Sequence, residues 1–341
     1  MVSWELPFLL GRLLLYSSNA ELPVFKVYRR QEVLDLFANV YDLRVLAAPS
    51  KMKSSLPSFF QSRKIGLSEP AFFLPFQFLS SPFPQDAAKR AVFFEYLSSW
   101  SKQIGVNMTI CSLDCVEEMP SVIVSNNPIL MLPPDISSLT SGFGKNLRND
   151  LRRIENKANA LDVNCFVSLS EDDLVEFYYR VLAPQYVRKH RMVFQPISLL
   201  LGLFHLGLVR LIIARQGFTL IGGLVLIKDA EGVHYAWGAS ETPNNLAIGK
   251  LLLNFALRDA VGRGEKWFDF GGTAISDLDL LKFKLKWGCS NYEVRKYFTL
   301  ARPRTMDLNS NFSFARQIYS LLPSRVAAYM MPTVVPWLVC R

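Results

Sequence analysis

Histidine is scarce in this chain and cysteine shows no pairing pattern. Only three histidines, His190, His205 and His234, occur in 341 residues, and they outline neither a Ser–His–Asp triad nor a metal set. His205 lies in an apolar run and reads as a satisfied core histidine. Five cysteines, at 111, 115, 165, 289 and 340, are odd in number and scattered. Cys111 and Cys115 are spaced CxxxC, but no second Cys/His pair completes a zinc site, so no metal is expected and the cysteines read as buried reduced thiols in a reducing compartment. An uninterrupted apolar run of membrane-span length is also missing. Residues 197–214 come nearest, but Gly202 and Gly207 divide them and they carry His205 and Arg210, which fits a buried helix followed by a buried strand. The opening "MVSWELPFLLGRLLLYSS" does not read as a secretory leader, because an acid precedes its apolar patch and no small-residue cleavage site follows. A cytoplasmic location is therefore expected, with membrane association confined to a peripheral contact of the C-terminal tail.

What is present describes a folded protein. Hydrophobic residues make up 50% and charged residues 20%, a balance that excludes a disordered chain. At 341 residues the chain exceeds the usual size of one core, so two domains are the default. The net charge of +9 favours anionic partners: phosphates, nucleotide-linked sugars, RNA or an anionic membrane surface.

Periodicity divides the chain. In the first part, "PVFKVYRR" reads as a strand, "QEVLDLFANVY" as a helix and "PAFFLPFQFL" as one or two strand pieces. "QDAAKRAVFFEYLSSWSKQIG" is a helix ending at Gly105, "VNMTICSL" a strand, and "SVIVSNNPILMLP" two short strands about a turn at Asn126-Asn127. The second part opens with "LTSGFGKNLRNDLRRIENKANAL", a helix with an apolar stripe of Leu147, Leu151 and Ile154 and with Lys145, Arg148 and Arg152 at helical spacing. These cations suit either a solvated face or a phosphate-binding surface. A strand "VNCFVSL", a helix opened by a Ser170–Asp173 capping box and a second helix "QPISLLLGLFHL" follow. "VRLIIARQ", "FTLIGGLVLIK" and "GVHYAWGAS" are three strands with short turns, an antiparallel meander. A long helix then begins with Thr242 as N-cap and Pro243 in its first turn. "KWFDFGG", a short helix and "YEVRKYFTLA" complete the pattern. From Arg302 onward Arg alternates with apolar residues at helical spacing, which predicts a helix packed across the body.

The stretch "FDFGGTAISDLDLLKFKLKWGC" stands apart. A core strand needs no double glycine at its end, and a solvent-facing helix needs no Phe283 or Trp287. Gly271-Gly272 either make a tight turn or bring backbone close to a ligand. Lys284, flanked by Lys282 and Lys286, is either a surface lysine or a point charge aimed at that ligand. Asp269 either bonds a neighbouring amide or orients a reacting group.

The element order, with "KNLRNDLRRIENKA", "YAWGAS", "KWFDFGG" and "FKLKWG", resembles the FemAB-like branch of the GNAT acyltransferase superfamily, which includes peptidoglycan-bridge peptidyl transferases and BioF2-like acetyltransferase domains. The similarity covers about residues 138–300. It implies an α+β fold of tandem GNAT-like domains, with mixed, mainly antiparallel sheets flanked by helices: a degenerate domain at 1–137, the complete one at 138–300 and a helical tail at 301–341. It also implies a V-shaped cleft between "HYAWGAS" and "KWFDFGG", with catalytic roles for Lys284 and Asp269. Acceptor contacts would come from Tyr235, Trp237, Gly271, Gly272, Phe283, Arg148 and Arg152, and donor contacts from Asn245, Gly249 and Lys250. Acetyl-CoA-using members carry an Arg/Gln-x-x-Gly-x-Gly/Ala loop before the long helix. This chain has "ETPNNLAIGK" there, which keeps Gly249 but not the full motif.

The implied activity is transfer of an acyl or aminoacyl group to an amine of a cell-envelope or polysaccharide precursor, phosphorylated or nucleotide-linked. No tightly bound cofactor is expected; acyl-CoA or aminoacyl-tRNA would be the co-substrate. The competing reading is a non-catalytic GNAT-like module that holds a nucleotide sugar or RNA.

Overall fold

The computed structural model describes residues 30–41, 43–46, 59–62, 71–73, 86–113, 115–116, 119–190 and 196–300, with short pieces between 321 and 330. Along them run α1 (Gln31–Val40), β1 (Leu43–Leu46), β2 (Phe59–Ser62), β3 (Ala71–Phe73), α2 (Ala87–Ile104), β4 (Met108–Ser112) and β5 (Ser121–Met131). Next come α3 (Ile136–Gly142), α4 (Lys145–Ala160), β6 (Val163–Ser168) and α5 (Glu171–Phe177), which passes through a π-turn at Tyr178–Leu182 into α6 (Ala183–His190). The chain continues with α7 (Ile197–His205), β7 (Val209–Gln216), β8 (Thr219–Lys228), β9 (Gly232–Ser240) and α8 (Ile248–Gly262). It closes with β10 (Trp267–Asp269), β11 (Thr273–Ala274), α9 (Leu278–Leu285) and β12 (Ser290–Phe298).

The twelve strands of the described residues share one sheet in the order β1-β2-β3-β4-β12-β5-β10-β9-β8-β7-β6, with β11 on β5. The sheet is mixed and mainly antiparallel; among the described residues only β3–β4 and β9–β10 run parallel. The last strand, β12, lies between β4 and β5. The predicted meander is present as β7-β8-β9.

Helices cover both faces, which explains the near-continuous apolar runs of the central strands. Successive β8 residues alternate between two cores: Leu220, Val225 and Ile227 face one, and Ile221, Leu224 and Leu226 the other. In α8, Leu252, Leu253, Ala256, Leu257, Ala260 and Val261 repeat at helical spacing and are all buried against the second core. Each such leucine contributes about 1.5–3 kcal/mol by leaving water. Gly222 permits this packing, since a Cβ there would sit 2.9 Å from both Ile248 Cγ2 and Ser240 Cβ.

Several expectations change. Residues 121–131 form one strand, without the turn predicted at Asn126-Asn127. Those asparagines pair in register with Glu293 and Tyr292, and Pro128 sacrifices only its missing donor, because its carbonyl accepts from Phe270 N at 3.0 Å. The long helix starts at Ile248, and Thr242 makes no side-chain cap to the 3₁₀ turn Pro243–Asn245 that precedes it. Asn244 and Asn245 at φ 50° and 56° break the helix there. His205 is exposed and meets Glu171 at 2.7 Å; it ends α7 beyond the buried stripe. Cys115 is exposed and Cys111, Cys165 and Cys289 are half-buried free thiols. Ser170 does cap α5 through Asp173 N at 3.3 Å. "PVFKVYRR" up to Arg29, the end of "PAFFLPFQFL" and most of the tail lie outside the described residues, and no described helix is long and apolar enough to cross a membrane.

One charged group holds the start of β7 to the end of α8. Arg210, 7% exposed, meets Glu265 at 2.5 Å and Asp259 at 3.1 Å. Removing it would leave two largely buried carboxylates without their shared cation, so Arg210→Met should destabilise the protein by about 3–5 kcal/mol in urea unfolding. A loss below about 1 kcal/mol would show that solvent already screens this cluster.

Candidate active site

The site begins where the sheet divides. β9 and β10 pair over three rungs only, Gly232–Trp267, Val233–Phe268 and His234–Asp269. Beyond the last rung β10 ends, while β9 continues to Ser240 paired, among the described residues, with β8 alone. A bulge at Ala236, between the Tyr235–Leu226 and Trp237–Val225 rungs, sharpens the divergence. Tyr235 and Trp237 stand half-buried on this splayed segment. Burial pushes the Tyr235 phenol well above its ordinary range, and nearby Tyr186 raises it further.

Gly271 turns the chain at the end of β10. It sits at φ 75°, in the left-handed region, and a Cβ there would meet Tyr235 O at 3.0 Å and His234 Cε1 at 3.6 Å. Its amide donates to Asp269 Oδ1 at 2.9 Å, and its carbonyl accepts from Lys284 Nζ at 2.8 Å. Lys284 also donates to Gly272 O at 3.2 Å. The double glycine is thus both a tight turn and a close approach, but the backbone approached is that of β9.

Asp269 is fully buried. Besides the Gly271 amide, its Oδ1 accepts from Asn127 Nδ2 at 2.7 Å, and its Oδ2 bonds His234 Nδ1. Asn127 Oδ1 and Thr273 Oγ1 are buried and have no hydrogen-bond partner among the described residues. Lys284 is 6% exposed, whereas Lys282 and Lys286 are exposed. Desolvation pushes the Lys284 ammonium down to about 8, opposed chiefly by the Asp269 charge. Phe283 stacks edge-on against Trp287 at 6.3 Å, and Trp287, buried beneath α9, does the same with Phe143 at 5.5 Å.

The structure therefore brings Lys284, Asp269, Gly271 and Gly272 together beside Tyr235. The remaining sequence-predicted residues stand elsewhere or in other roles. Arg148 donates to Phe143 O at 2.5 Å and Ser141 O at 3.0 Å, so it ties down the C-terminal end of α3, while Arg152 is exposed. Lys250 is paired with Asp150 at 2.5 Å. Asn245 and Gly249 are exposed before and in the first turn of α8, and a Cβ on Gly249 would touch only Ser240 Oγ at 3.4 Å. A groove of about 420 Å³ between α4, β6 and α8, lined among others by Glu155, Cys165, Asn254 and Arg258, contains none of the predicted site residues. No cluster of three or more potential metal ligands occurs among the described residues.

Sequence reasoning missed His234 and Asn127. The available signal was Asp269 itself: a carboxylate in an aromatic core strand requires donors, and His234 is the polar residue of the neighbouring apolar strand.

The lowered proton affinity of Lys284 has a measurable consequence. Its folded value of about 8 lies below the ordinary 10.5, so the unfolded chain binds more protons between those two pH values. Stability from this group therefore rises with pH across that window and is constant below it. The unfolding free energy of the wild type relative to Lys284→Met should move in the wild type's favour by about 2 kcal/mol between pH 8 and pH 10, at ~1.4 kcal/mol for each pH unit. Parallel pH profiles of the two proteins in urea titrations would mean the lysine is solvated.

Residues 145–282 match the family model of the GNAT acetyltransferase domain. No curated protein matches the chain by sequence. Among solved structures, FemX superposes with a TM-score of 0.57 at 11% identity, over 83% of this chain and 93% of its own. The C-terminal domain of a putative lysylphosphatidylglycerol synthetase from Agrobacterium fabrum gives 0.55 at 10% identity, covering 89% of this chain and 94% of its own. L-PGS from Bacillus licheniformis gives 0.54 at 12%, covering 90% and 92%. Residues 145–282 are thus similar to the GNAT acetyltransferase domain, and the chain shares the overall fold of FemX and of the lysylphosphatidylglycerol synthetase domain.

Proposed function

We propose that the protein transfers an acyl or aminoacyl group from acyl-CoA or aminoacyl-tRNA to an amine of a phosphorylated or nucleotide-linked cell-envelope or polysaccharide precursor. The observation that carries this reading is the buried Lys284, held by the Gly271 and Gly272 carbonyls beside the point where β9 leaves β10. A structural lysine would not need burial at an open sheet edge. During transfer, edge amides of Tyr235–Ser240 polarise the donor carbonyl and Lys284 neutralises an acceptor phosphate or the developing oxyanion. Tyr235, Trp237 and Phe283 offer apolar contact to the acceptor. Asn245, in the turn before α8, and Gly249, in its first turn, face the donor, and the amides and dipole of that helix start suit an anion. Similarity to structures named as FemX and lysylphosphatidylglycerol synthetases supports an aminoacyl donor. The division at residue 137 remains part of this proposal, with the sheet continuous across it.

Isothermal titration against acetyl-CoA, aminoacyl-tRNA and nucleotide sugars, paired with a mass-shift assay for transfer, tests the function. Binding of nucleotide sugar or RNA with no transfer from any donor would establish the binding-module reading instead.

Losing the Lys284 charge should cost on the order of 2–4 kcal/mol of transition-state stabilisation. Turnover of Lys284→Met should then fall roughly 30- to 1000-fold at ~1.4 kcal/mol per decade, with Lys282→Met and Lys286→Met near wild type. Thermal melts separate this from loss of fold, since the lysine also bonds the glycine turn. Equal losses in all three variants would sink the assignment.

The two arginines should respond differently to reversal. Arg152→Glu should weaken binding of a polyanionic substrate and flatten its salt dependence at unchanged Tm. Arg148→Glu should lower Tm, because two carbonyls at the end of α3 lose their donor. Identical behaviour of the pair would contradict their separate environments.

A further inference from the structure

The groove of about 420 Å³ lies where α4 and α8 pass over β6, the last strand of the sheet. We propose that it binds the adenine base of a nucleotide, at a site separate from the Lys284 turn and independent of the transferase reading.

Helical spacing builds the walls. Leu251, Asn254, Phe255 and Arg258 stand at i, i+3, i+4 and i+7 on α8, and Glu155 and Ala158 line the groove from α4. Ala158 projects a single methyl, which leaves a slot where a longer side chain would close the seam between the helices. Cys165 of β6 adds an uncharged surface, because burial pushes its thiol up to about 12. The volume lies within the range of small-ligand sites, about 300–1,000 Å³. β7 and β8 separate β6 from β9, so the groove stands about 14 Å across the sheet from the splayed segment, at ~4.8 Å per strand.

One amide supplies the recognition. Asn254 is 7% exposed, and its Nδ2 donates to Glu155 Oε1 at 2.9 Å. A carboxylate only accepts, so the amide nitrogen is fixed toward Glu155, and Oδ1 with the second N–H is left for the groove. This acceptor–donor pair matches adenine, whose exocyclic amino group donates to Oδ1 while the neighbouring ring nitrogen accepts the N–H. Guanine carries an oxygen in place of that amino group and would set two acceptors against each other. Phe255, half-buried, offers the base a ring to stack on.

Charge orients the nucleotide. Glu155 lies at the amide end, where an amino group is welcome and a phosphate is not. Arg258 is 51% exposed and 3.6 Å from Glu155, a cation placed outside the base for the phosphate. Asp259, also on the lining, is already balanced by Arg210 at 3.1 Å and Arg263 at 2.9 Å.

Isothermal titration of the full chain with AMP tests the site without any acyl donor. AMP should bind, GMP should bind at least about tenfold more weakly for its one mismatched edge, and ribose 5-phosphate should give no heat. Asn254→Leu should raise the Kd for AMP roughly 5- to 150-fold, the range of one amide–base pair. Phe255→Leu keeps the apolar contact without the ring and should raise Kd over a similar range, whereas Phe255→Trp should keep the affinity and report binding through its indole fluorescence. Thermal melts accompany each variant, and the Phe255 pair decides the matter if Asn254→Leu does not fold. No AMP binding, equal affinity for AMP and GMP, binding of ribose 5-phosphate as tight as that of AMP, or an unchanged Kd in Phe255→Leu overturns the proposal. Coenzyme A added to the AMP complex separates the sources of the base: displacement puts a donor's adenosine in the groove, and retention of AMP assigns a free nucleotide.

Discussion

A single carboxylate organises the centre of this molecule. Asp269 ends a three-residue strand with no exposure to water, and the cost of burying its charge is met by donors from three segments: Asn127 on β5, His234 on β9 and the amide of Gly271. Because Gly271 must point its amide back at Asp269, its carbonyl points away and becomes an acceptor for Lys284. The lysine is buried as a consequence, and its lowered proton affinity follows from that burial. The left-handed turn, the ammonium on α9 and the imidazole on β9 are all fixed by one requirement, that the acid be solvated by protein.

The sheet supplies the rigid frame for this arrangement. β5 pairs with β10 on one side and β12 on the other, so Asn127 is held in register between Tyr292 and the residues around Asp269. α8 seals the face behind β8 and β9, while α9 crosses the open end with Trp287 wedged between Phe283 and Phe143. The half-buried segment from Tyr235 to Ser240 has no strand neighbour on its outer edge past Asp269 among the described residues.

The meander and the long apolar helix were legible because both carry a strong period: β7 to β9 show apolar runs between short turns, and α8 repeats buried residues at helical spacing. Asn126-Asn127-Pro128 misled because these residues favour turns when their neighbours are unknown; in the fold their backbone pairs with β12 and Asn127 is needed by Asp269. In the site, Lys284 stood out because its sequence neighbours Phe283 and Trp287 are wrong for a solvated helix. Arg148 looked like Arg152 because spacing specifies a helix face and not a partner, and the two carbonyls that hold Arg148 lie on a different element. The His234–Asp269 contact was hidden for the same reason, as 35 residues separate its members and only strand order joins them.

The position of β12 has a consequence for synthesis on the ribosome. β4 and β5 are complete by residue 131, yet they never pair with each other; the strand that joins them spans residues 290–298. Until that segment emerges, the facing edges of β4 and β5 have no partner in hand, and the other edge of β5 waits for β10 and β11. Such edges invite pairing with other chains, and contacts this distant in sequence form slowly. The nascent protein therefore depends on being shielded for the time taken to translate some 160 further residues, about 10–30 s at typical elongation rates. Its last strand works as a delayed seam, and truncation before it would leave the earlier sheet open along its middle.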